Sequence, residues 1–177
     1  MTKKTPTPAQ LRAREAFKIG RAFLAPLHGL IKKGFAETAK RKKSLPAGLA
    51  LGYTLRTAIR QEAEGPVVDP TLVRISDGSI ASVNMPELTR HVDSIELSHD
   101  PCNAWLHGEY DHVIICAYQV EKGYAFVNER IWRRHEGKVI VPIPLGFEND
   151  GFHVYLLLCN RKGTKYSRSS YLGYLTK

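Results

Sequence analysis

The residues best suited to chemistry lie between positions 99 and 112. His99-x2-Cys102-x4-His107-x4-His112 has the spacing of a zinc knuckle and ligand types that zinc accepts. Its donor balance is wrong, with three imidazoles and one thiol where closed structural zinc sites are thiolate-rich. Gly108 follows the candidate histidine instead of preceding it, and His112 opens an apolar run that reads as a strand. The expectation is an inter-strand loop holding no metal. Glu109 and Asp111 could share one face of an extended segment, and His112 and Cys116 another. No third orienting group, strained nucleophile turn, phosphate-cradling glycine loop or His–Glu helix pair accompanies them. No catalytic residue, cofactor or small-molecule substrate is expected.

A second chemistry is electrostatic. Residues 1–43 hold 12 Lys/Arg against Glu15 and Glu37, a balance of +10, while the remaining residues carry −1. The high pI therefore belongs to the N-terminal quarter, and such asymmetry suggests a polyanionic or acidic partner. The residues expected to meet it are Arg12, Arg14, Lys18, Arg21, Lys40, Arg41, Lys42 and Lys43. Lys and Arg along a helix can neutralise phosphates without reading sequence. Phe17 and Phe23 are expected on the buried face of that helix, which leaves no aromatic platform for stacking single-stranded bases.

The elements that position these residues follow from periodicity. Thr7-Pro8-Ala9-Gln10 is a helix start with a capping residue, a proline at the first position and a reciprocal Gln. Ala13, Phe17, Leu24, Leu27 and Ile31 then recur at steps of three and four, with Gly34 as a stop. Pro26 should kink this helix or divide it near Leu24-Ala25. A second helix is expected from about Leu45 to Ala63, ended by Gly65-Pro66, with the Lys40–Lys43 cluster in the connection before it.

Beyond Pro66 the period becomes that of strands. Leu72–Ile75, Ser94–Ser98, His112–Gln119, Tyr124–Trp132, Val139–Val141, Phe152–Asn160 and Ser170–Leu175 are expected strands, with another near Glu87–Val92. About seven strands in roughly 105 residues suit an immunoglobulin or fibronectin III-like sandwich. The fold expected is α+β, with a basic helical region at 1–66 and a β-sandwich at 67–177. Val113–Ala117 and Tyr155–Cys159 are apolar on both faces, unlike half-exposed strands. Such strands need cover outside the sandwich as well as within it, and the amphipathic helices are expected to supply it.

Three cysteines far apart make no disulfide framework, no run approaches the roughly 20 apolar residues of a membrane span, and the first residues lead into no signal-peptide core. A cytoplasmic setting is the expectation.

Thr7-Pro8-Ala9-Gln10-x3-Arg14-x2-Phe17, Phe23-Leu24-x-Pro26-Leu27, Gly34-Phe35, Val73-Arg74-Ile75-Ser76-x-Gly78 and Ser170-Tyr171-Leu172-Gly173 together resemble a bacterial family classed as a domain of unknown function. The resemblance implies a helical N-terminal region followed by an immunoglobulin-like sandwich, with no established activity to carry over. It also implies a glycine-rich strand-forming segment ahead of the first helix. The sequence here lacks that segment, so a shortened form or a late start is expected.

These readings converge on a non-enzymatic binding or assembly protein, with a protein partner or self-association, and with Tyr166, Tyr171 and Tyr174 as possible interface anchors. The alternative is non-specific nucleic-acid binding through residues 1–43. A structural component of a phage or mobile element is a more distant one, from fold-level analogy alone.

Overall fold

The computed structural model describes residues 5–101 and 108–177. Helix α1 (Pro8–Leu24) starts as its sequence dictates. The Gln10 amide donates to the Thr7 hydroxyl, and the Thr7 amide donates to the Gln10 side-chain carbonyl, 3.3 and 3.0 Å. Pro26 divides the helix. One 3₁₀ turn (Ala25–Leu27) separates α1 from α2 (His28–Gly34), because proline offers no amide to continue the ladder. The connection expected after Gly34 is itself helical, α3 (Ala36–Arg41), before α4 (Pro46–Thr57).

The second helix is shorter than its expected extent to Ala63. The Thr54 and Thr57 hydroxyls donate to the carbonyls of Ala50 and Tyr53, and the Asp69 amide donates to Ala58 O at 2.7 Å. The chain then leaves the helix for a hairpin, β1 (Ile59–Glu62) with β2 (Gly65–Val68). Ala63 and Glu64 turn this hairpin, and Gly65, at φ +130°, opens β2 directly after them.

The segment Leu72–Ile75 is not a strand either. The Asp69 carboxylate caps a 3₁₀ turn (Pro70–Leu72), and Val73 and Ile75 are buried by an extended segment without a ladder. Its amides are satisfied by one side chain: Ile75 N and Ser76 N both donate to Ser169 Oγ. The alternation that suggested a strand is real, but it records burial and not pairing.

The remaining strands are β3 (Asn84–Arg90), β4 (Ser94–Asp100), β5 (His112–Gln119), β6 (Tyr124–Val127), β7 (Trp132–Arg133), β8 (Lys138–Pro142), β9 (Phe152–Cys159) and β10 (Ser170–Leu175). One sheet is ordered β3-β4-β8, the other β10-β9-β5-β6 with β7 also on β5. Every pairing within these sheets is antiparallel. With β6 and β7 in succession along β5, five strands fill four positions opposite three, the arrangement of a fibronectin III-like sandwich, and the class is α+β as expected.

Two apolar layers flank the β5–β9 pair. Val113, Ile115, Ala117, Val154, Leu156 and Leu158 point inward against Ile95, Leu97, Val139 and Val141. Cys116, Tyr118, Tyr155, Leu157 and Cys159 point outward, where Phe23, Leu24, Leu27, Ile31 and Phe35 of the helical layer cover them. The Tyr118 hydroxyl donates to Phe23 O at 2.9 Å, tying sheet to helix. Between β6 and β7 the Asn128 amide replaces a strand, accepting from Ile115 N at 2.8 Å and donating to Val113 O. Among the described residues no helix is long and apolar enough to cross a membrane.

The closest approach in the helical layer is at Gly34. A Cβ there would lie 2.5 Å from Ser76 Cβ and 2.9 Å from Ile75 O. Gly34→Ala should therefore cost about 1–3 kcal/mol through overpacking. Gly29→Ala in the same helix, where a Cβ meets nothing within 4 Å, should gain about 0.5–1 kcal/mol. Urea midpoints of the two variants check this, and equal shifts of one sign would refute the close-contact argument.

Candidate functional site

The zinc-like set does not assemble on the described residues. Cys102 and His107 lie outside them. His99 sits buried on β4 and His112 opens β5, so the two belong to different sheets. His112 Nδ1 is 3.7 Å from Cys159 Sγ, its neighbour across the β5–β9 ladder. Burial pushes the Cys159 thiol up, and it pushes that of Cys116 up to about 12. Both thiols are therefore protonated packing groups, and both are free of disulfides.

The acidic pair is likewise structural. Asp111 faces the buried Arg134 at 3.7 Å, and Arg134 also donates to Ser82 O and Ala81 O. Burial raises the Asp111 pKa against the pull of that guanidinium. Glu109 contributes its carbonyl to the His135 amide. Of the three candidate anchor tyrosines, Tyr166 is buried, Tyr171 receives or donates a 3.0 Å hydrogen bond with His153 Nδ1, and only Tyr174 is largely exposed.

The basic residues give a different picture. Arg12, Arg14, Lys18, Arg21, Lys40, Arg41, Lys42 and Lys43 are all exposed. None forms an ion pair with a carboxylate among the described residues. Arg14, Lys18 and Arg21, spaced by four and three, share one flank of α1, and Arg12 falls on the opposite flank. Phe17 corrects the expectation of burial: it is 46% exposed and lies on the flank of Arg21, because α4 packs against the Gly20 side of the helix. Phe23 is buried as expected.

Lys40 and Arg41 close α3, and Lys42 caps it. Lys43 takes the left-handed conformation at φ +49°, where glycine is the usual residue. Its side chain makes that position costly by roughly 1 kcal/mol.

Lys42 then meets two cations the sequence reading did not select. Lys42 Nζ, Arg56 and Arg74 lie 5.4, 5.2 and 5.2 Å from the centre of the Tyr53 ring. Each gains from the ring quadrupole, yet they are like charges gathered around one small group. The Tyr53 hydroxyl accepts from Lys42 Nζ at 3.2 Å and donates to the Asp77 carboxylate at 3.5 Å. Asp77 also accepts from the Thr38 hydroxyl and faces Arg168 at 3.5 Å. One buried carboxylate thus lies among several cations. Arg56 was legible as i+3 from Tyr53 on α4. Arg74 was not, because it arrives from a segment distant in sequence.

The chain belongs to a family of unknown function, DUF6266. The family model matches residues 2–173, a span taking in the helical layer, the Tyr53 cluster and both sheets. No curated protein matches the chain. Membership in DUF6266 thus agrees with the resemblance seen in the capping, packing and turn residues, and it assigns no activity to the basic surface.

A pH dependence follows from His99. Burial, helped by nearby Arg134 and opposed by the Asp100 carbonyl, holds its pKa below the ordinary value, and Nε2 has no hydrogen-bond partner among the described residues. The unfolded chain binds this proton more readily than the folded one. Stability from His99 is therefore complete above about pH 6.5 and is lost as pH falls through the depressed folded value. His99→Leu should shrink the drop in urea midpoint between about pH 7.5 and about pH 5. An unchanged drop would show that the folded imidazole takes its proton normally.

Proposed function

We propose that this DUF6266 chain is a non-enzymatic binding or assembly protein that docks an acidic protein partner on its helical layer. The β-sandwich serves as the rigid support. The observation that carries this reading is the convergence of Lys42, Arg56 and Arg74 on Tyr53, where no carboxylate among the described residues ion-pairs with any of the three and Asp77 is joined to them through the Tyr53 hydroxyl. Self-repulsion of this kind is relieved when an anion arrives. The left-handed Lys43 adds a local strain that a glycine would remove, kept at the same charged corner. The non-enzymatic part rests on the fixed roles of the ionisable groups, with Asp111 on Arg134, His112 on Cys159 and His153 on Tyr171.

A second reading, non-specific nucleic-acid binding, draws on the same unpaired cations. Phosphate contacts release counterions, so duplex affinity falls linearly on a logarithmic salt scale. The test uses fluorescence anisotropy with poly-glutamate and with a random-sequence duplex, in parallel, from low to physiological salt. The acidic polypeptide should bind, and Lys42→Gln/Arg56→Gln/Arg74→Gln should weaken it about tenfold, or roughly 1.4 kcal/mol. Tighter duplex binding with a salt slope of about −3 or steeper would transfer the proposal to nucleic acid. Failure of both probes at low salt would reduce the surface to a solvated face. Separately, Lys43→Gly should raise stability by about 0.5–1 kcal/mol while weakening poly-glutamate.

A further inference from the structure

Helix α4 is an outer-layer helix whose outer side is not polar. Ala47, Gly48 and Leu51 face Phe17, Leu24, Ala25 and Ile31 across an open groove of about 440 Å³, with Arg21 and His28 on its rim. Phe17, a large aromatic, stands nearly half in solvent at its edge. Among the described residues the α4 side is open at its glycines: a Cβ at Gly48 would touch only Leu45, and one at Gly52 only the Arg56 side chain of the same helix. Gly20 lets the two helices approach closely, with Leu51 Cδ1 3.1 Å from a Cβ placed there. The groove therefore has a narrow floor and an apolar wall on each side.

Its charge selects the occupant. No carboxylate lines the groove. Glu15, the acid of α1, lies beside Gly65 of the β1–β2 hairpin, and Glu37 lines a separate cleft with Thr38 and Arg41. Arg14 precedes Phe17 by three residues and Arg21 follows it by four, so cations flank the exposed ring along one row of α1. A second copy of this chain would set one strongly basic helical layer against another. A nucleic-acid duplex brings charge but no apolar groups to fill the walls.

We propose that the α1–α4 groove receives an acidic amphipathic helix of a partner protein. Apolar side chains spaced three and four apart enter between Phe17, Leu24 and Leu51, while Asp or Glu residues beside them pair with Arg14 and Arg21. This is the helix-in-groove mode of recognition. Within α1 the row from Phe17 to Leu24 spans about 10 Å, enough for two turns of such a helix. The inference rests on the binding reading above and names the chemistry of its partner, which the Tyr53 cluster alone does not.

The test selects phage-displayed random 16-residue peptides on the purified full chain. Enriched peptides should carry Leu, Phe or Trp at three- and four-residue spacing, interleaved with Asp or Glu. Phe17→Ala and Arg21→Glu, both at exposed positions, should each weaken a selected peptide at least about tenfold with the melting temperature kept. Lys138→Gln, an exposed position on β8 of the other sheet, should change it less than about threefold at physiological salt. Raising salt to 0.5 M should leave most of the peptide affinity, because apolar burial is not screened. Peptides that lack apolar anchors, or that respond to the Tyr53-cluster variant and not to Phe17→Ala, would overturn the groove while leaving the binding reading standing. No enrichment at all would overturn the groove as well. Loss of poly-glutamate and duplex binding, measured separately, is what would remove the binding reading.

Discussion

The structure depends on one pair of strands that is apolar on both faces. β5 and β9 run side by side at the centre of the larger sheet, and Ile115, Leu156 and Leu158 on one face are matched by Cys116, Tyr155 and Leu157 on the other. A sandwich covers only the first face. Left open, the second would expose several large side chains at roughly 25 cal/mol per Å² of apolar surface. The helical layer is what that second face requires, and its own apolar side requires the sheet in return.

This mutual burial decides where the charge goes. Phe23, Leu27, Ile31 and Phe35 must turn toward the sheet, so the lysines and arginines between them turn outward. Pro26 contributes by breaking the first helix into α1 and α2, joined by a 3₁₀ turn in which Leu27 is itself buried. Close contact at Gly34 then brings Ser76 and Asp77 against the helices; the Asp77 amide donates to Gly34 O at 3.0 Å, and the Asp77 carbonyl accepts from the Thr38 hydroxyl. That junction carries Arg74 to Tyr53. The basic corner is thus a by-product of packing, fixed in position by groups that are not themselves basic.

Much of this frame is legible in the residues alone, for identifiable reasons. The Thr7 cap, the break at Pro26, the strands His112–Gln119 and Ser170–Leu175, and the need for an outer cover are local chemistry or local periodicity. The misreadings share one cause, which is tertiary competition. Leu72–Ile75 alternates because two residues are buried, but Ser169 takes the amides a neighbouring strand would have bonded. Ile59–Glu62 continued a helical pattern, but Asp69 binds the Ala58 carbonyl and the hairpin with Gly65–Val68 wins. Phe17 fits an apolar stripe, but α4 is too narrow, with glycines at 48 and 52, to cover the whole stripe. For the surface, the eight cations were readable as a run. Arg56 and Arg74 become partners of Lys42 only through the aromatic ring that three distant segments share.

The sheet edges bear on why the proposed docking is assigned to the helices. A sandwich offers its edge strands as templates for pairing unless they are blunted. Here each edge is. β3 carries Pro86 and an irregular register beside Met85, whose φ is positive. β8 begins with Lys138 and ends with Pro142. β10 shifts register at Gly173. β6 is four residues long and gives way to Asn128, whose side chain takes over bonds that a longer strand would make. With backbone pairing discouraged on every side, attraction must come from side chains, and the side chains with unspent attraction are the cations of the helical layer and the open ring of Phe17. The same blunting limits strand addition at the sheet edges, and leaves the apolar content of β5 and β9 to be covered within the chain.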